Sequence, residues 1–208
     1  MNNQISGIIS EEARAILNIP VTDDYEKSIA IIYNRVHVRK GKLVASGMGK
    51  AGQIALNIAT TLSSTGTPSI FLHPSDSQHG DLGVLQENDV LLLVSNSGKT
   101  REILELVELA GKLHEDLPLI VITGNRNSHL AGIADAVLFT GAPAEVCPLG
   151  LTPSTSTTTM TVIGDILMVL MMQKIGFTSG DYAKRHHGGY LGDKSREQAS
   201  GGSGNLKI

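Results

Sequence analysis

The segment Asp89–Glu102 constrains the fold of this chain more than any other. Five apolar residues, Val90–Val94, lead directly into a turn of hydroxyl, amide and glycine residues, and an amphipathic pattern begins at Arg101. This order predicts a short buried strand, a turn and a helix. The start of a helix presents free backbone N–H groups and the positive end of its dipole. We therefore interpret the turn as a binding site for a phosphate monoester.

The turn contains more hydrogen-bonding side chains than a helix cap requires. We assign four polar residues to substrate binding: Ser95, Asn96, Ser97 and Thr100. Gly98 would let the backbone approach the anion. A β–α turn that is capped by Ser or Thr without any ligand is the alternative. A nucleotide-binding P-loop is rejected, because Leu93 occupies the position of its first glycine.

Strand and helix patterns alternate along the chain. Two helices are predicted at residues 7–18 and 23–38, and strands at residues 42–46, 69–73, 90–94, 119–123 and 136–140. This alternation predicts an α/β fold, a three-layer α/β/α sandwich with a five-stranded parallel sheet. We divide the chain into N-terminal helices (1–39) with oligomer contacts, one domain (40–195) and a flexible tail (196–208). The loops that follow the strands should meet at one edge of the sheet, where ligands bind.

The turn after the first strand has a second possible meaning. Residues 47–52 have the spacing G-x-G-x-x-G between a strand and a helix, which is formally the dinucleotide-binding fingerprint. That fingerprint needs an acidic residue at the end of the second strand. Here the first acid, Asp76, arrives late and behind Pro74. Lys50 lies inside the glycine turn, where its cation could serve a phosphate or a sugar oxygen, so a dinucleotide is the less favoured ligand.

Composition excludes several classes of partner. The 208 residues carry a formal net charge of −3 with a pI of about 6.1 and contain no Trp, which predicts neither a nucleic-acid nor a membrane surface. A single cysteine, Cys147, cannot form an internal disulfide, and the first residues lack a signal-peptide pattern. The apolar stretch 162–172 is too short to span a bilayer. We therefore expect a cytoplasmic protein.

Several longer segments are more specific than any single turn. They are SGMGKAG, STGTPSIFLHP, HGDLG, SNSGKTREI, EVCPLGLTPSTSTT and HHGGYLG. Together, over about residues 40–192, they resemble the sugar isomerase (SIS) domain of the arabinose 5-phosphate isomerases. The resemblance implies interconversion of D-arabinose 5-phosphate and D-ribulose 5-phosphate without a cofactor. It also implies a homotetramer that supplies Kdo for lipopolysaccharide or capsule. Many members carry a pair of regulatory CBS domains, and we expect this chain to be a single-domain form.

The resemblance also implies roles for individual residues. The four catalytic positions of the family fall on Lys50, Glu102, Glu145 and His186. Further substrate-binding positions are Ser46, Gly49, Gly66, Thr67, His73 and His79, of which His73 matches a position associated with substrate or an inhibitory zinc ion. No resident metal is expected, because the adjacent side chains of His186 and His187 diverge and no further ligands lie at metal-binding spacing.

An aldose–ketose shift moves a proton between C1 and C2, which requires a base and a group that stabilises the enediol oxygens. Either Glu145 or Glu102 would be the base, and the sequence does not rank them. Lys50 would stabilise negative charge, and His186 would assist ring opening. Two alternatives stay open: a non-catalytic SIS module that senses a sugar phosphate, and an isomerase of another sugar phosphate.

Overall fold

The central sheet positions the loops that follow its strands. The structure is a computed structural model that describes residues 1–200. Within them five strands form one parallel sheet: β1 Leu43–Gly47, β2 Ser69–Phe71, β3 Val90–Val94, β4 Leu119–Thr123 and β5 Ala136–Phe139. Their order across the sheet is β2–β1–β3–β4–β5, and every pair is parallel. The predicted five-stranded parallel sheet is therefore confirmed.

Helices cover both faces of this sheet. The α-helices of the described residues are α1 Asn2–Leu17, α2 Asp24–Ile32, α3 Gly49–Ser64, α4 Pro74–Ser77, α5 Arg101–Leu113, α6 His129–Gly132, α7 Thr155–Ile175, α8 Ser179–Ala183 and α9 Gly189–Ser200. Tyr33–Val38 continues α2 as a π-helical segment, and Asp81–Val84 forms a 3-10 helix. The helix predicted over residues 23–38 thus changes its hydrogen-bonding pattern at Tyr33.

Alternate residues of each strand face opposite helical layers, because side chains alternate along a strand. Leu43 and Leu92 belong to the core cluster that contains residues of α2, α3 and α7. Val44 and Leu91 belong to the cluster that contains residues of α5. The sheet is therefore buried on both faces, and the predicted three-layer sandwich is confirmed.

Helix α7 packs in the core beside α3. A Cβ at Gly164 would lie 2.5 Å from Ile58 Cγ1, so this glycine permits a close approach of the two helices. Both helices follow strands and run back across the sheet, which places their N-termini side by side. The 21 residues of α7 are long and apolar enough to cross a membrane, which residues 162–172 alone did not suggest. However, its residues Met160, Ile163, Leu167 and Met171 are buried in the domain core.

Both ends of the described chain pack on other elements. α1 contacts α7, and α2 contacts β5 and α7. Residues 196–200, which were assigned to the flexible tail, lie in α9, and residues 201–208 lie outside the described residues.

Candidate active site

The candidate site lies where the strand order of the sheet reverses. β1 and β3 are neighbours, but the chain leaves β1 through α3 on one face and β3 through α5 on the other. Such a switch point creates a crevice at the carboxyl ends of the two strands. A cleft of about 270 Å³ lies there, lined by side chains from residues 48–51, 94–100 and 153–160. Two of the predicted loops and the start of α7 therefore meet in one place.

The turn after β3 supplies hydrogen-bonding groups to the cleft. The Gly98 N–H donates to Ser95 Oγ at 3.2 Å, and Ser95 Oγ lies 3.3 Å from Thr100 Oγ1. Asn96 and Ser97 are exposed and also line the cleft. Thr100 immediately precedes α5, whose first backbone N–H groups have no partner within the helix. The arrangement can bind an oxyanion such as a phosphate.

The loop after β4 holds this turn in place. Gly98 has a φ of 62°, and a Cβ there would lie 2.2 Å from Ser128 Oγ. Asn125 Nδ2 donates to the Ser97 carbonyl at 3.0 Å, and Thr123 Oγ1 donates to the Asn96 carbonyl at 3.2 Å. These supporting residues were not predicted from the sequence. The polar run that follows the buried strand β4 was the available signal.

Lys50 brings a cation to the same cleft. It is exposed, lies in the first turn of α3 and lines the cleft. Gly49, with a φ of 57°, begins that helix in a conformation that favours glycine. No carboxylate among residues 1–200 forms a salt bridge with Lys50. The ammonium group is therefore available to a ligand.

Glu145 caps the helix whose start closes the cleft. Its Oε2 accepts hydrogen bonds from Ser154 N (2.7 Å), Ser154 Oγ (3.0 Å) and Ser156 N (3.2 Å). Burial acts to raise the pKa of Glu145, but the hydrogen bonds from Ser156 and Ser154 outweigh it and hold the pKa below its ordinary value. The carboxylate is therefore ionised at neutral pH and able to accept a proton.

Glu102, Glu145 and the two histidines of the loop after β2 are not among the residues that line the cleft. Glu102 is half-buried in the first turn of α5. His73 precedes α4 with its Nδ1 3.8 Å from Asp76 Oδ2, and His79 is exposed. Among the described residues, no three His, Cys, Asp or Glu side chains are grouped so that they could hold a metal ion.

Ser46 does not line the cleft, and its assignment to substrate binding stays a prediction. The residue is fully buried in β1, and its hydroxyl donates to the Leu72 carbonyl at 2.6 Å. It joins β1 to the segment that follows β2. The pleat of the strand turns the side chain into the protein.

Gly66, Thr67 and His186 lie at the other edge of the sheet within one chain, and the roles that the resemblance implies for them stay predictions. A Cβ at Gly66 would meet Phe177 Cδ2 at 2.7 Å, which places it beside the end of α7. His186 stacks on Tyr182 with ring centroids 3.7 Å apart, and Tyr182 in turn contacts Phe177.

The length of helices α3 and α7 separates these residues from the cleft. The 21 residues of α7 span about 30 Å from the cleft to Phe177. At this far edge Thr67 Oγ1 lies 3.2 Å from His37 Nε2. Gly66 and Thr67 follow α3 and precede β2, so the chain order itself places them at the edge opposite the cleft.

Comparison with known proteins identifies the domain. The model for the SIS domain matches residues 38–170. The arabinose 5-phosphate isomerase KdsD of Yersinia pestis is 42% identical over 186 residues, which cover 89% of this chain and 55% of that protein. The chain spans about half the length of the curated relatives that it matches.

Two solved structures are similar over nearly their whole length. One, from Bacteroides fragilis NCTC 9343, is described as a phosphosugar isomerase involved in capsule formation. It is 64% identical with a TM-score of 0.90, and the match covers 91% of this chain and 99% of that chain. The other, E. coli CFT073 c3406 in complex with arabinose 5-phosphate, is 34% identical with a TM-score of 0.81, over 88% of this chain and 95% of that chain.

Proposed function

The chain belongs to the SIS domain family, and we propose that it is an aldose–ketose isomerase that interconverts D-arabinose 5-phosphate and D-ribulose 5-phosphate. The observation that carries the proposal is the meeting, at the β1–β3 switch point, of the polar turn 95–100, the cation of Lys50 and the helix start capped by Glu145. The relatives support this substrate, since one is named for the reaction and another is in complex with arabinose 5-phosphate.

The substrate would be anchored through its phosphate. Ser95, Ser97, Thr100 and the first N–H groups of α5 would bind the phosphate oxygens. This anchor holds C1 and C2 of the sugar in a fixed place for the proton transfer. Lys50, on the opposite wall of the cleft, would stabilise the negative charge that develops on the enediol oxygens.

The proton transfer between C1 and C2 requires an ionised carboxylate. Glu145 meets this requirement because the hydrogen bonds from Ser154 and Ser156 favour its charged form. The hydrogen bonds from Ser154 N, Ser154 Oγ and Ser156 N all reach its Oε2, so Oε1 would be the oxygen that takes a proton from the sugar. We therefore favour Glu145 as the base, with Glu102 as a second carboxylate beside the phosphate turn.

The role proposed for His186 requires a second copy of the chain. Within one chain His186 lies beyond the far end of α7, so ring opening by this residue would need the copy that a homotetramer supplies. The homotetramer, a cytoplasmic location and a place upstream of Kdo stay predictions. The oligomeric state is measured by light scattering, and a monomer that is fully active would contradict this role for His186.

The proposal is tested by NMR of the purified protein with D-arabinose 5-phosphate, without added cofactor or metal. The appearance of D-ribulose 5-phosphate signals is the expected result. Binding without turnover would instead favour the sugar-phosphate sensor. Neither binding nor turnover would favour an isomerase of another sugar phosphate.

Replacement of the proposed base gives a sharper test. Glu145→Gln retains an oxygen that accepts hydrogen bonds from Ser154 and Ser156, so the helix cap and the substrate KM should change little. We expect kcat to fall at least about 100-fold, because the amide cannot take the proton. Glu115→Gln, at an exposed carboxylate, is the control. A kcat of Glu145→Gln within about threefold of wild type would exclude this role.

A further inference from the structure

We propose that Glu12, in α1, is a positioning residue for the carboxylate of Glu145. The inference rests on the proposed function and extends it to a helix outside residues 38–170, which match the SIS domain. α1 packs against α7, and Glu12 lies where it reaches the first residue of that helix. The N-terminal helix would therefore contribute to the site without touching the substrate.

The contact passes through the hydroxyl of Thr155. Thr155 Oγ1 lies 3.1 Å from Glu12 Oε1, and it also lies 3.1 Å from the backbone nitrogen of Val146. Thr155 is 1% exposed, so water does not replace either partner. Thr155 stands between Ser154 and Ser156, the two residues that bind the Glu145 carboxylate, and Val146 is the next residue after Glu145.

The direction of these hydrogen bonds is fixed by chemistry. The Val146 N–H can only donate, so the Thr155 oxygen accepts this bond. The single hydroxyl proton of Thr155 is then donated to Glu12. By taking that proton, Glu12 turns the lone pairs of Thr155 toward Val146. The hydrogen bond from Val146 N–H to Thr155 therefore links the backbone next to Glu145 to the start of α7.

This link is important because Glu145 lies in neither a helix nor a strand. Residues 140–154, between β5 and α7, contain neither a helix nor a strand. The position of the carboxylate therefore depends on individual hydrogen bonds at the helix start. A displacement of about 1 Å of a catalytic group can lower a rate about 100-fold.

The second oxygen of Glu12 shows that the carboxylate is not optimised for stability. Glu12 Oε2 is buried and has no hydrogen-bond partner among the described residues. A buried polar atom without a partner is destabilising. Loss of Glu12 removes this unpaired oxygen but also leaves the buried Thr155 hydroxyl without its acceptor, so the two effects on the melting temperature oppose each other. The rate and the exchange of the Val146 amide therefore report on positioning.

The experiment compares three variants of the full chain. Glu12→Ala removes the acceptor of the Thr155 proton, Glu12→Gln keeps an acceptor oxygen, and Glu11→Ala removes the neighbouring exposed carboxylate, which pairs with Arg14 on the helix surface. For each we measure kcat, KM, the melting temperature and the hydrogen exchange of the Val146 amide by NMR. The exchange measurement does not depend on catalysis.

In Glu12→Ala we expect kcat to fall about tenfold with KM within about twofold, and the Val146 amide to exchange about tenfold faster. Glu12→Gln should restore both values, and Glu11→Ala should match wild type. A wild-type kcat in Glu12→Ala, or an equal loss in Glu12→Gln, would overturn the proposal. If the wild type does not isomerise the sugar, the proposed function fails, and unchanged Val146 exchange in Glu12→Ala would then overturn this inference separately.

Discussion

Substitution of Gly98 tests the geometry of the phosphate turn. In Gly98→Ala, a φ of 62° costs an L-residue about 1–2 kcal/mol. The new Cβ would also lie 2.2 Å from Ser128 Oγ and 2.5 Å from Ser128 Cβ, and such overpacking costs about 1–3 kcal/mol. We therefore expect the free energy of unfolding to fall by about 3 kcal/mol.

A double-mutant cycle separates the two contributions. Ser128→Gly removes both atoms that the new Cβ would meet, and the next neighbour, Thr123 Oγ1, lies at an ordinary contact distance of 3.6 Å. Alone, this change weakens the cap of α6 by about 0.5 kcal/mol. Because the clash is relieved, the double variant should lose about 2 kcal/mol, whereas the sum of the single losses is about 3.5 kcal/mol.

The assay is urea denaturation followed by circular dichroism, with Gly111→Ala as the matched control. Gly111 lies in α5 with no atom within 4 Å of a new Cβ, so this glycine-to-alanine change should stabilise the protein by about 0.5–1 kcal/mol. A loss below about 0.5 kcal/mol in Gly98→Ala would refute the reasoning. Strict additivity in the cycle would refute the part that concerns Ser128.

Two further predictions concern charged groups outside the cleft. Lys42→Ala should destabilise the protein by about 2 kcal/mol in urea denaturation, because it leaves the nearly buried carboxylate of Asp89 without the ammonium group 2.6 Å away. Lys112→Ala, at an exposed pair, should change the stability much less, and equal losses would contradict this. Hydrogen bonds from the Thr152 side chain and neighbouring backbone groups lower the pKa of Cys147 to about 6, so its alkylation by iodoacetamide should be half-maximal near pH 6 and rise with pH. In Thr152→Val, loss of the largest contribution should move that midpoint upward, and an unchanged midpoint would argue against the Thr152 contact.

The elements of the fold were predictable because they depend on local patterns. Val90–Val94 and Leu119–Thr123 are continuous apolar runs bounded by polar turns, and both strands have the predicted bounds. The second strand was predicted to extend to residue 73, but β2 ends at Phe71, and Ile70 and Phe71 are only partly buried. The change to a π-helical pattern at Tyr33 left no signal in the apolar periodicity.

The membership of the cleft was only partly predictable. The residues of the β3–α5 turn and Lys50 line one cleft, as expected for loops at the carboxyl ends of adjacent strands. Ser46, a strand residue with a hydroxyl, was assigned to the ligand but donates to a backbone carbonyl inside the protein. A sequence gives the type of a side chain near a strand end but does not show which partner its hydroxyl reaches.

The sequence by itself determined the strand–turn–helix units and their anion-binding chemistry, because backbone sterics and side-chain periodicity act over a few residues. Only the tertiary structure decided which polar groups meet. The sheet order sets β1 beside β3, while the length of α7 separates His186 from the cleft. Packing of α1 on α7 brings Glu12 next to Thr155, 143 residues away along the chain. Contacts between distant segments depend on how the helices and strands pack, which no local pattern records.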